Sequence, residues 1–247
     1  MLISYSKEID EKKAKFIKMS PEQFDKYMCE TYPIMFRERN LPMNQTCMCW
    51  GFSIGSGWFW ILADLCEKLD FISRETGINV VFGQIKEKFG GARFYYSTDY
   101  SKCSKNSEAF SKFWQDMIST IINHYEEMCD YYCAECGENK HDMITIGGWV
   151  YDCCEKCLEK DKNRSEGLKY WREYKELKEK LIDMSYRGNK EEREQLNKLV
   201  KSFEKRTEKE RAKQQREWDK VKKEGDKKLA KEEKENKEKG EKGEGRI

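Results

Sequence analysis

At 247 residues, with 38% hydrophobic and 38% charged residues, the chain has room for one or two domains, and its apolar content has to be concentrated to make a core. A formal net charge of +2 excludes a global polycation, so any nucleic-acid contact has to be local. No stretch approaches the ~20 apolar residues of a membrane span.

The N-terminus, MLISYSKEIDEKKAKF, lacks the apolar run of a signal peptide. The eleven cysteines therefore read as reduced thiols of a cytoplasmic protein rather than as a disulfide scaffold. Residues 7–19 suit a short helix with Ile9, Phe16 and Ile17 as a sparse apolar stripe. Ser20-Pro21-Glu22-Gln23 is a capping-box start with proline at the first helical position. The helix it opens runs toward Arg39 and breaks near Tyr32, ahead of Pro33. After a loop, Ser56 is the expected N-cap of a helix over Gly57–Phe71 that buries Trp58, Ile61, Leu62, Leu65, Cys66 and Leu69. Cys47 and Cys49 have the spacing of half a metal site but no partner pair. With Cys29, Cys66, Cys103 and Cys129 they read as buried structural thiols.

INVVFGQIKEKFGGARFYYST (78–98) is the best strand pair, with Gly90-Gly91 as a two-residue turn. Alternation along the strands puts Ile85, Glu87, Phe89, Ala92, Phe94 and Tyr96 on one face. Gln84, Lys86, Lys88, Arg93 and Tyr95 share the other, a candidate anion- or nucleic-acid-binding surface with lysines on phosphates and Tyr95 stacking a base. The same face also suits a solvated edge guarded by lysines. Glu87 among apolar neighbours calls for an ion pair or a raised pKa, and Gly83 is a candidate bulge. Residues 106–129 form the strongest amphipathic helix, capped by Ser107, with Phe110, Phe113, Trp114, Met117, Ile118, Ile121, Ile122 and Tyr125 in its stripe.

Cys133/Cys136 and Cys154/Cys157 follow, two Cys-x2-Cys knuckles with 17 residues between them. This is the spacing of a four-cysteine zinc site, closed by four protein ligands and hence structural rather than catalytic. MITIGGWVYD between the knuckles reads as a hairpin about Gly147-Gly148, making a zinc ribbon or treble-clef-like element. Cys153 competes with Cys154 as a ligand, and His141 is a weaker substitute. Beyond Cys157 a helix through Leu168, Trp171, Tyr174, Leu177, Leu181 and Ile182 ends at Arg187-Gly188-Asn189. A second begins near Lys190 with a thin seam of Leu196, Leu199, Val200, Phe203, Trp218 and Val221 among Lys/Glu neighbours.

These segments predict an α+β protein. An N-terminal helical segment (1–47) precedes a zinc-stabilised α+β core (48–165, knuckles 133–157) with antiparallel hairpins packed on helices. A charged helical hairpin or coiled-coil arm (166–235) and a disordered tail (236–247) complete it.

Gly57-Trp58, Leu65-Cys66, Gln84-x-Lys86-Glu87-Lys88-Phe89-Gly90-x-x-Arg93-Phe94-Tyr95, Cys133-x2-Cys136-Gly137 and Trp149-x4-Cys154-x2-Cys157 occur in that order. The pattern, over residues 48–158, resembles a family of small uncharacterised bacteriophage and prophage proteins with a Gly-Trp helix, a QxKEKFGxxRFY hairpin and paired-cysteine knuckles. Ala92 stands where leucine is usual, and the arm after Gly167 has no counterpart in the family. The resemblance implies a viral accessory protein that acts on a host protein or nucleoprotein complex, such as a defence complex with an RNA-guided nuclease. A non-enzymatic, zinc-binding interaction protein is the leading expectation. Nucleic-acid binding by the hairpin face is the alternative, and an enzyme built on Glu87 comes behind both, since nucleophile elbow, phosphate loop and His-Glu-x-x-His are all missing. Homodimerisation through the C-terminal helices is open.

Overall fold

The computed structural model describes residues 2–103, 107–140, 142–146, 148–187 and 189–241. The architecture is α+β, and the chain divides into two compact units, Met1–Leu168 and Lys169–Ile247. Among the described residues, no helix is long and apolar enough to cross a membrane.

In the first unit α1 (Leu2–Phe16) and α2 (Pro21–Thr31) precede α3 (Phe59–Thr76). The Ser20 hydroxyl accepts the Gln23 N–H while the Gln23 side chain accepts the Ser20 N–H, so the capping box forms as its residues dictate. α2 stops at Thr31, two residues before Pro33, and the chain turns rather than resuming the helix toward Arg39. Residues 1–47 are not a separate body: Phe16, Phe24 and Met28 join the central core, with Phe24 stacked on Phe59 at 3.9 Å. Ser56 does not cap α3. It lies in a 3-10 turn (Ser56–Trp58), and its hydroxyl donates to the Glu135 carbonyl at 3.2 Å.

The main sheet has order β1-β2-β3, with β1 (Phe52–Ser53) parallel to β2 (Asn79–Lys88) and β2 antiparallel to β3 (Gly91–Asp99). The register slips between Phe82 and Gln84, so Gly83 is the bulge. The turn is displaced by one residue from the expected Gly90-Gly91: Lys88 pairs with Gly91, and Phe89-Gly90 form its centre at φ 56° and 78°. Positive φ at both central residues defines the type I′ turn that matches strand twist. Moving the turn by one residue shifts the pairing by two and keeps the face assignment, except that Phe89 leaves the core face for the tip, where it is 77% exposed.

α4 (Glu108–Tyr131), capped by Ser107, packs along β3. Its stripe divides: Ile118, Ile122, Tyr125 and Cys129 are buried, while Phe113 and Met117 are exposed. Glu126 accepts the Phe94 N–H at 2.5 Å. A buried polar group links three helices, with Asp64 of α3 accepting from Lys12 of α1 at 2.5 Å and from the Tyr125 hydroxyl of α4. Burial opposes charge on Asp64, but the Lys12 and Tyr125 hydrogen bonds outweigh it and hold the carboxyl below its usual range.

β4 (Ile144–Ile146) and β5 (Trp149–Tyr151) form the second hairpin; Gly147 in its expected turn lies outside the described residues. α5 (Glu155–Glu159) follows, then α6 (Lys162–Arg187) and α7 (Lys190–Glu241). Within the second unit Tyr174 stacks on Phe203 at 5.7 Å, and Arg206 donates to Glu173 at 2.6 Å, so α6 and α7 form a helical hairpin. Gly188 in its connection lies outside the described residues, as do the side chains of Trp218 and Val221. α7 continues to Glu241, through part of the segment expected to be disordered; residues 242–247 also lie outside the description.

Candidate metal centre

The knuckle region is built on the Gly55–Trp58 turn. Gly57 N–H donates to the Ala134 carbonyl at 2.7 Å, and Trp58 Nε1 donates to the Tyr132 carbonyl at 2.8 Å. A Cβ on Gly57 would lie 2.2 Å from the Cys133 oxygen and 2.5 Å from the Gly137 nitrogen, contacts with backbone that cannot rotate away. Gly57→Ala is expected to lower stability by about 3 kcal/mol, the upper end for overpacking, read by denaturant unfolding. An unchanged midpoint would show that the turn does not seat the knuckle.

Around the first pair, the Cys133 N–H donates to the Glu138 carbonyl and the Gly137 N–H to the Cys133 carbonyl, each at 2.8 Å. Gly137 takes φ 66°, a conformation that glycine reaches without a Cβ penalty. The second pair opens α5: Cys154 is its N-cap residue and Cys157 lies in its first turn. The Cys154 N–H donates to Cys133 Sγ at 3.2 Å, and the Ala134 N–H donates to the Asp152 carbonyl at 2.7 Å, tying the knuckles together.

Four sulfurs converge. Those of Cys133, Cys136, Cys154 and Cys157 lie within 4.8 Å of one another, with Cys136 and Cys154 3.7 Å apart. The arrangement could hold a metal ion. The hydrogen bond from Cys153 holds the Cys133 thiol well below its usual range, while burial pushes Cys136 and Cys157 up. Crowded thiolates repel one another, and a bound cation is what would let all four ionise. Cys153 stands outside the cluster, buried against Cys133. His141 lies outside the described residues. The remaining six cysteines differ in burial: Cys66 and Cys129 are in the core, Cys29, Cys49 and Cys103 half-buried, and Cys47 exposed, contrary to its expected burial.

Behind the cluster, Lys140 and Asp152 form a buried ion pair, 5% and 4% exposed. Their charged atoms find no other hydrogen-bond partner among the described residues. Burial pushes Lys140 down, opposed by Asp130 and by Cys133, Cys153 and Cys129. Nothing in the local sequence marks this pair, since Lys140 stands in the polar run ENKHD and Asp152 at the end of the expected hairpin strand.

The hairpin residues are only partly brought together as expected. Gln84, Lys86, Lys88, Arg93 and Tyr95 share a face by register, with Lys86 over the Tyr95 ring at 5.3 Å and Lys88 over Phe89 at 5.3 Å. Arg93, however, is half-buried and donates to the Ala92 carbonyl at 2.5 Å. Glu87 is exposed rather than a core carboxylate. It accepts the Gly90 N–H at 2.6 Å and serves as a side-chain brace of the turn. No family model, curated protein or solved structure matches the chain.

Proposed function

We propose that the chain is a non-enzymatic, zinc-stapled interaction module whose contact surface is the tip of the β2–β3 hairpin. Four thiols are a donor set that selects zinc over harder cations. A tetrahedron with Zn–S bonds of ~2.3 Å has edges of about 3.8 Å, close to the 3.7 Å between Cys136 and Cys154. Four protein ligands leave no open coordination position, which favours a structural ion.

The observation that carries the contact surface is Phe89. It has positive φ among the described non-glycine residues and is 77% exposed, a combination costly to the fold on both counts. Met143, 47% exposed, lies beside the same tip, with its Cε 3.1 Å from where a Cβ of Gly90 would sit. Strained, displayed apolar side chains are explained by what they touch in a partner. The resemblance to phage and prophage proteins points to a host protein or nucleoprotein complex, with inhibition of host defence as the corresponding role. Phosphate binding by Lys86, Lys88 and Tyr95 is the weaker reading, because Arg93 is half-buried and spends a guanidinium N–H on the Ala92 carbonyl.

Phe89→Asn separates contact from fold, since Asn-Gly is a preferred type I′ pair. The variant is expected to gain about 1 kcal/mol of stability, with its thermal midpoint raised, and to lose recovery of the host partner from lysate. A variant that is less stable, or that recovers the same partner as the wild type, would show Phe89 to be structural.

A further inference from the structure

We propose that the outward face of α7 binds the phosphate backbone of a nucleic acid. The inference concerns the second unit and does not depend on the metal centre. An α-helix advances roughly 100° per residue. On that projection Lys198, Lys205, Lys209, Lys213, Arg216, Lys220 and Lys223 fall within a sector of about 80°, and all seven are exposed. Of the acidic residues in the same stretch whose side chains are described, Glu204, Glu208, Glu210 and Asp219 project outside that sector. Lys213 is drawn toward its border, 3.8 Å from Glu210. Lys201 flanks the row.

A solvated helix that merely needs charge for solubility mixes signs around its circumference, because Glu and Lys at i,i+4 stabilise it. Segregation of one sign along seven turns gives up part of that benefit. The row is about 37 Å long at ~1.5 Å per residue, with a basic group on nearly every turn. That is a linear array of point charges, the complement of a polyphosphate rather than of a single anion.

The chemistry of the rest of the helix selects among polyanions. A membrane-surface helix buries an apolar face beside its basic one. Here the apolar side of α7 around Phe203 is taken by α6, with Phe203 stacked on Tyr174 and Leu196 and Phe203 buried, and Leu199 is left as a single exposed apolar side chain rather than a face. A protein interface needs an apolar centre inside its polar rim, and the row contains none. Contacts of this kind carry position and affinity but no base readout, so the binding is insensitive to sequence.

The test is fluorescence anisotropy of the full-length protein with a labelled mixed-sequence 40-base-pair duplex, across 50–300 mM NaCl. Six or seven phosphate contacts give a slope of log K against log[salt] of about −5 to −6. Replacing Lys205, Lys209 and Arg216 together with glutamine, itself a good helix former, is expected to reduce that slope by about 3 and weaken binding at least tenfold. The charge-keeping set Lys205→Arg, Lys209→Arg and Arg216→Lys should bind like wild type, and Lys86→Gln with Lys88→Gln should leave binding unchanged. Absence of duplex binding at 50 mM salt would overturn the proposal. So would retention in the glutamine triple, loss in the hairpin double variant alone, or binding to vesicles rich in phosphatidylserine without binding to duplex.

Discussion

Cys136→Ser is expected to abolish metal loading and to lower the thermal midpoint by about 10–20 °C, on the scale of several kcal/mol lost from a domain of this size. Structural zinc contributes folding free energy directly, ~10–16 kcal/mol in small peptides that have no other core. The first unit does have one, in which Trp58, Phe59, Phe24 and Phe82 are fully buried, so the loss should be partial. Its centre should be the knuckles, where two cysteine pairs are joined by few backbone hydrogen bonds. Elemental analysis should find about one zinc per wild-type chain, the count that a single four-thiolate site accepts, and none in the variant. Hydrogen exchange should show protection lost over residues 132–158 and kept across α3 and β2. A wild-type protein without zinc and with full protection at the knuckles would remove the metal from the fold.

Lys140→Met should cost about 3–5 kcal/mol, because it leaves the Asp152 carboxylate buried without its counter-charge. The double variant Lys140→Met with Asp152→Leu should recover to within ~1 kcal/mol of wild type, since replacing both partners removes the desolvation cost along with the attraction. The pH dependence distinguishes this from general damage. A lone buried carboxyl has a folded-state pKa above its unfolded value, so its penalty is full at neutral pH and shrinks as pH falls into the acid range. Chemical denaturation of the single variant at pH 7 and pH 5 should show a smaller deficit at pH 5. An equal deficit at both pH values would mean that Asp152 is not held as a charge.

Signals confined to a few neighbouring residues were legible in the sequence. The Ser20 box, the Ser107 cap, the Gly83 bulge and the paired cysteines each declare a local backbone need, and the fold meets each one. The β2–β3 turn was misplaced by one residue because two glycines in a row allow either frame, and pattern alone favours the all-glycine turn. The structure takes Phe89-Gly90, where Glu87 reaches the Gly90 N–H. What depends on distant partners was not legible. Ser56 has the local look of a cap, yet its hydroxyl goes to Glu135. Gly57 reads as the first residue of a helix, whereas a Cβ on it or on Gly55 would meet the knuckle backbone. The parallel pairing of β1 involves only two residues, too few for any period to show. Lys140 and Asp152 are twelve residues apart across a hairpin, and nothing in either neighbourhood hints at burial.

The Glu126 carboxylate on the Phe94 N–H has a consequence for how the molecule behaves at high concentration. A sheet margin with open donors and acceptors is where strands from other chains add, in recognition and in fibre growth alike. Here one margin is a two-residue strand, and the other lies under α4 with a side-chain oxygen seated on its backbone. Strand addition along β3 therefore meets an N–H already taken, so a neighbouring chain would have to displace Glu126 to extend the sheet on that side.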